Sequence, residues 1–391
     1  MGIVCIQKMK TPLCKLKGAA CEMSRIPPLD ILRDLPQAMR IAVLVKHRRS
    51  FVSKPKIWYL PMPSHTKTVF PEETYERFLH NFDVTENKTD HNYTSEAIEE
   101  GIAAYDGLVT GWGSPAISET ALKRADRLKI LAHSAGSVKH FFTQDLIDRY
   151  LIPREVCVVS ANGAIALNVA EHTVGSMIMM SRRWIHHAMN IRERGLWNDQ
   201  SMSKTNQGLR GSTVGLISAS TVAREVIGLL QPFNVHILIY DPYLSDWEAG
   251  RLGVEKTTLK EVFKQADIVS VHAPKIPETD HMLGLEQLRL LKEDAVFINT
   301  SRGSVLDHEA LYQEAKTGRF QVQLDVTDPE PLPPEHPLRK LSNVVITPHT
   351  SGGGAYGYSY IGNTVVQALE QFFYNKPVPG RVNLNRWALL A

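Results

Sequence analysis

From Met39 onward the chain alternates short apolar runs with stretches of helical spacing, at intervals of roughly 25–30 residues. One set of runs covers 41–45, 107–112, 128–133 and 156–160. A second covers 213–218, 236–241, 267–272, 295–300, 321–326 and 343–347. Between most of them, apolar positions recur at three- and four-residue steps, as at 96–104, 221–230, 258–265, 285–291 and 308–316. Strands alternating with helices at this spacing predict βαβ units and parallel sheets. Two sets predict two α/β domains.

Three stretches break the rhythm. Residues 168–194 contain no proline or turn cluster and predict one long helix, apolar at its front (Val169, Val174, Met177, Ile178, Met179) and basic at its back (Arg182, Arg183, Arg192, Arg194). The prolines between Pro55 and Pro63 predict an irregular loop. Residues 1–38 carry Lys8, Lys10, Lys15 and Lys17 with no acid before Glu22, and lack the apolar core of a secretory leader. That segment is expected to be a disordered extension or a mis-assigned start.

Composition adds limits. The chain has 391 residues, 43% hydrophobic and 22% charged, with a net charge of +3. There is no basic block to suggest nucleic acid as a partner. No apolar run approaches the ~18 residues of a membrane span. Cys5, Cys14, Cys21 and Cys157 form no CxxC pair, so neither a disulfide framework nor a metal site is expected. A reducing, cytoplasmic setting is the natural expectation.

The candidate chemistry sits after three late strands. Arg302 follows Asn299-Thr300-Ser301, Glu330 follows Asp325-Val326-Thr327-Asp328-Pro329, and His349 follows Thr347-Pro348. Loops after parallel strands are where an open α/β sheet builds its site. Arginine clamps a carboxylate. Histidine moves a proton near neutral pH. A carboxylate beside it fixes its tautomer and raises its pKa. Together they suit reduction of a 2-keto acid.

The strand at 213–218 runs into Ser218-Ala219-Ser220-Thr221-Val222-Ala223, and Asp241 ends the next strand. Small residues opening a helix, with an acid about 20 residues on, suit a dinucleotide, and the acid favours NAD over NADP.

On these residues the chain resembles the D-2-hydroxyacid dehydrogenase family over nearly everything after Met39. Ser218, Ser220 and Ala223 stand where relatives usually carry G-x-G-x-x-G. The resemblance implies a flavodoxin-like substrate domain, 39–160 with 350–376, into which a Rossmann-type NAD-binding domain, 161–349, is inserted, leaving 377–391 as a tail. It implies Arg302, Glu330 and His349 as catalytic residues, and the turn Ser134-Ala135-Gly136 on the substrate carboxylate. Ser218, Ala219, Ser220, Thr221, Val222, Asp241, Ala273, Pro274, Thr279, Thr300, Ser301, Asp325 and Gly352 are implied at the cofactor. Asp325 is implied on the nicotinamide amide. A homodimer is implied, with the 168–194 helix in its interface. Tyr356, Tyr358 and Tyr360 are expected to narrow the pocket. The alternatives are a non-catalytic, NAD-responsive corepressor-like protein and a relative that has lost cofactor binding.

Overall fold

The computed structural model describes residues 53–197 and 208–390. The expected strand at 41–45 and the segment 1–38 lie outside the described residues.

Two parallel sheets form the frame. The first contains β1 (Lys56–Tyr59), β2 (Asp83–Glu86), β3 (Gly107–Thr110), β4 (Ile130–His133) and β5 (Cys157–Ser160), in the order β2-β1-β3-β4-β5. This is the flavodoxin-like order. The second contains β6 (Thr213–Ile217), β7 (His236–Tyr240), β8 (Glu255–Lys256), β9 (Ile268–Val271), β10 (Val296–Asn299), β11 (Gln321–Leu324) and β12 (Val344–Ile346). Its order, β12-β11-β10-β9-β6-β7-β8, reverses direction at β6/β9. That reversal is the Rossmann switch point, where a crevice opens at the carboxyl ends of the strands.

The central strands are buried along their whole length because helices cover both faces. Leu108–Val109, Ile130–Ala132, Val269 and Phe297–Ile298 are fully enclosed. Such strands read as continuous apolar runs, which is why they were visible in the sequence. The region 54–63 corrects expectation. Lys56–Tyr59 is an internal strand, paired with β2 and β3, with Ile57, Trp58 and Tyr59 buried. Four residues between prolines are too short to show a period. The edge strand β2 alternates exposed and half-buried residues, and Val84 is its only apolar one, so it has no apolar signature.

The segment 168–194 is also corrected. It is two helices, Asn162–Ser181 and Trp184–Arg194, separated by a turn in which Arg183 is left-handed (φ 51°). Arg183 is ion-paired to Asp294, a long-range contact that no local pattern announces. The first helix runs between the two sheets. Ala164 packs in the core of the smaller domain, and Ala170, Val174 and Met177 pack against the larger sheet. Helix Ala355–Phe373 returns to the smaller domain, with Ile361, Val365 and Leu369 in its core.

Residues 377–390 are not a free tail. Arg381 bridges antiparallel to Val159, the edge-strand amide of Ser160 donates to Gly380, and Trp387 is buried against Phe142. Among the described residues no helix is long and apolar enough to cross a membrane.

Candidate active site

A cavity of about 760 Å³ lies between the carboxyl ends of the two sheets. Its walls come from turns after β3 and β4 on one side and from turns after β6, β7, β9 and β10 on the other, with the interdomain helix as floor.

Arg302, Glu330 and His349 follow the three neighbouring strands β10, β11 and β12. His349 Nδ1 and Glu330 Oε1 are 2.5 Å apart, with both side chains about half exposed (49% and 43%). The ring's Nε2 is therefore the nitrogen left for another partner. His349 is left-handed (φ 51°), and its amide donates to the Asp325 and Thr347 carbonyls. Burial pushes the Arg302 guanidinium below its ordinary pKa, and the Glu330 carboxylate opposes that shift. One carboxylate thus serves both side chains. Arg302 Nη1 donates to the Ser301 carbonyl at 2.7 Å, while Asn299 gathers the turn through the Ser301 amide and the Arg302 carbonyl.

Gly303 explains how the two loops come so close. A Cβ there would sit 2.0 Å from the Thr327 carbonyl oxygen. Only glycine lets the Arg302 turn press against the segment that carries Glu330.

Asp325 is held to the His349 loop by three hydrogen bonds. It is 1% exposed and not on the cavity wall. Its Oδ1 accepts from Thr347 Oγ1 (2.6 Å) and the Thr350 amide (2.9 Å), and its Oδ2 from the Ser351 amide (2.8 Å). Burial alone would raise its pKa, but these hydrogen bonds outweigh it and hold the carboxyl below the usual range. Asp325 is the clamp of the His349 loop.

The turn after β6 shows how serine replaces glycine. Ser218 is left-handed (φ 80°), the conformation a first glycine adopts at less cost. Its Oγ donates to Asp241 Oδ2 at 3.1 Å, beside the Ala219 amide at 2.7 Å. The other oxygen of Asp241 accepts from the amides of Tyr243 and Leu244 at 2.7 and 3.1 Å. The acid expected to read a ribose therefore also pins both turns at the switch point. Ser220 is the N-cap of helix Thr221–Leu230, accepting from the Ala223 amide. The first-turn amides of Thr221 and Val222 have no carbonyl within the helix to bond, as at any helix start. Donors at a helix N-terminus, a small-residue turn and an acid on the next strand fit a dinucleotide pyrophosphate and ribose.

Of the other expected cofactor residues, Ala219, Ala273, Pro274, Thr279, Thr300, Ser301 and Gly352 line the cavity. Thr279 Oγ1 donates to the Pro274 carbonyl and shapes its loop. The carboxylate turn is only partly as expected. Ser134 and Ala135 are fully buried, and the Ser134 amide is spent on the Thr110 carbonyl. Ser134 Oγ bonds His65 Nε2 at 2.8 Å. Gly136 and Ser137 are the members that reach the cavity. Of the three tyrosines only Tyr358 lines it; Tyr356 and Tyr360 pair with each other at the surface.

Trp112, His133, His140, Arg386 and Leu390 also line the cavity without a sequence signal for it, and so does His272, which opens the His272-Ala273-Pro274 segment that resembles the family's nicotinamide-ribose loop. His133 and His272 are held neutral by burial, each pushed down to about 3. The position of His133 on the cavity follows from topology, which no short motif encodes.

Residues 174–351 match the family model of the D-isomer specific 2-hydroxyacid dehydrogenase NAD binding domain. A glyoxylate reductase from Thermofilum pendens is 38% identical over 235 residues, 59% of this chain and 69% of that protein. The chain belongs to the D-isomer specific 2-hydroxyacid dehydrogenase family. A glyoxylate reductase from Korarchaeum cryptofilum is 29% identical, over 80% of this chain and 93% of the relative. The D-3-phosphoglycerate dehydrogenase of Methanocaldococcus jannaschii is 30% identical over 74% of this chain. The chain spans only about half of that relative's length (54%). Among solved structures, a phosphoglycerate oxidoreductase from Rhizobium etli superposes with a TM-score of 0.72 at 20% identity, covering 85% of this chain and 99% of that one. At that identity the likeness speaks for the family fold.

Proposed function

We propose that this chain is an NAD-dependent oxidoreductase that interconverts a 2-keto acid and a D-2-hydroxy acid. The observation that carries the reading is the Glu330–His349 pair beside Arg302 at the mouth of a dinucleotide-type crevice. Bound NADH supplies the hydride. Arg302 binds the substrate carboxylate and draws density from the carbonyl. His349 gives its Nε2 proton to the carbonyl oxygen and takes it back in the oxidative direction. Glu330 keeps the ring oriented through its contact with Nδ1, which leaves Nε2 turned to the substrate. Gly136 and Ser137 are the members of the facing turn that reach the cavity on the substrate side.

The first test is a titration of NADH, then NADPH, followed by a screen of 2-keto acids. Saturable binding with NADH preferred, and turnover that His349→Ala reduces by about 10²–10⁴-fold without loss of NADH binding, supports the assignment. Absence of NADH binding up to millimolar concentration overturns it.

The reading includes a homodimer. Trp184 (59% exposed), Met189 (43%), Ile191 (49%) and Trp197 (84%) leave an apolar surface on and just after helix Trp184–Arg194, the type of surface that subunits cover. A cytoplasmic site of action accords with the unpaired, buried thiol of Cys157.

A further inference from the structure

Two guanidinium side chains line the cavity, from opposite domains. Arg302 belongs to the larger sheet and has Glu330 beside it. Arg386 comes from the smaller domain, in the last turns of the chain. Among the described residues no acidic side chain or carbonyl accepts from its guanidinium, although most arginines here have such a partner, as at Arg77, Arg127, Arg149, Arg183 and Arg319.

The backbone at Arg386 is fixed. The 3₁₀ run Leu384–Leu389 is interrupted at this residue (φ −113°, ψ 21°). The neighbouring Trp387 is 3% exposed and sits in the core of the smaller domain. Upstream, Val382 donates to the Val158 carbonyl at 2.8 Å, continuing the bridge to the edge strand. Downstream, Lys139 Nζ donates to the carbonyls of Ala388 (2.8 Å) and Leu390 (3.0 Å). The lysine's charge is thereby spent on anchoring. Arg386 itself is exposed, and with Ser137, His140 and Leu390 it lines the cavity.

We propose that Arg386 binds a second anionic group at the far end of the substrate, so that this chain prefers 2-keto and 2-hydroxy acids carrying a distal carboxylate or phosphate. The inference rests on the dehydrogenase reading for the first carboxylate, which goes to Arg302. It adds a specificity-determining residue from the smaller domain. A guanidinium held by its backbone and left without an internal partner discriminates by charge: an anion satisfies it, and an apolar end leaves it hydrated. The opposing acids do not serve. Asp241 already accepts four hydrogen bonds, and Glu278 acts on Lys139, whose charge it supports.

The test is calorimetry on the full chain with saturating NADH, which forms dead-end complexes with hydroxy acids and involves no turnover. The probes are D-lactate, D-malate and 3-phospho-D-glycerate. D-malate or 3-phospho-D-glycerate should bind at least about tenfold more tightly than D-lactate, and the stronger of the two identifies the distal group. Arg386→Gln should remove that advantage, a loss of about 10- to 100-fold for the dianion with little change for D-lactate. Arg386→Lys should restore part of it. Equal affinity for all three probes overturns the proposal, as does a dianion preference that survives in Arg386→Gln. Because the readout is binding, it separates from the dehydrogenase reading. A chain that binds NADH and reduces pyruvate, yet shows no dianion preference, refutes the role of Arg386 alone. Failure to bind NADH or any hydroxy acid removes both.

Discussion

Ser218 shows what one residue can absorb. In the left-handed region a non-glycine residue costs roughly 1–2 kcal/mol. Its hydroxyl returns about 1 kcal/mol through the bond to Asp241. Ser218→Gly should therefore leave stability within about 1 kcal/mol of the parent and NADH affinity unchanged or higher. Ser218→Ala keeps the strained backbone and loses the hydrogen bond, so it should be less stable by about 1–2 kcal/mol. Urea unfolding of the three proteins checks this, and an alanine variant as stable as the parent would refute the role of the hydroxyl. The departure from G-x-G-x-x-G was plain in the sequence. Its compensation was not, because Asp241 lies on a different strand and its turn-pinning hydrogen bonds exist only once β6 and β7 are paired.

Among elements, the decisive contact is between the two loops that carry Arg302 and Glu330. Gly303→Ala places a methyl group 2.0 Å from the Thr327 carbonyl, so the loops must separate. Overpacking of this kind costs about 1–3 kcal/mol, and it also moves Glu330 away from Arg302 and His349. The expected result is a fall in turnover of more than tenfold with NADH affinity retained; normal turnover would show that the loops have slack. The same scale marks the limits of legibility. Arg302, Glu330 and His349 were readable because each follows a short run with apolar residues, buried in β10 and β11 and half-buried in β12. β1 and β2 were not, being four residues long and flanked by proline or polar at the edge. The break at Arg183 depends on Asp294, 111 residues away. Asp325 was visible as an acid at a strand end, but only the packed loop reveals that its oxygens are already taken.

For the molecule as a whole, buried histidines set the response to acid. His65, His133 and His272 are at most 5% exposed and are held neutral by burial down to about 4, 3 and 3. In the unfolded chain each imidazole takes up a proton near pH 6.5. Between about pH 6.5 and 4 the unfolded state therefore binds more protons, and folding stability falls as pH falls. The slope is at most about 1.4 kcal/mol per pH unit for each histidine. Melting temperature should drop from pH 7 to pH 5, and His133→Gln should flatten the drop. A melting temperature constant across that interval would exclude the effect. The two-sheet layout was legible from the spacing of apolar runs, whereas this clustering of histidines at the smaller sheet's carboxyl edge was not, since His65, His133 and His140 meet only through β1, β3 and β4.

The clamp formed by Asp325 has a consequence for exchange of amide protons with solvent. Thr350 and Ser351 lie in a loop, the first exposed and the second buried, and loop amides ordinarily exchange through small local fluctuations. Here their N–H groups are held by a carboxylate rooted at the end of a central-sheet strand. They should exchange only when that strand end opens, with protection close to that of Val322 and Leu324. The loop bearing the proton-transfer residue would then be among the slowest-exchanging loops of the molecule, and Asp325→Ala should release it without exposing the sheet.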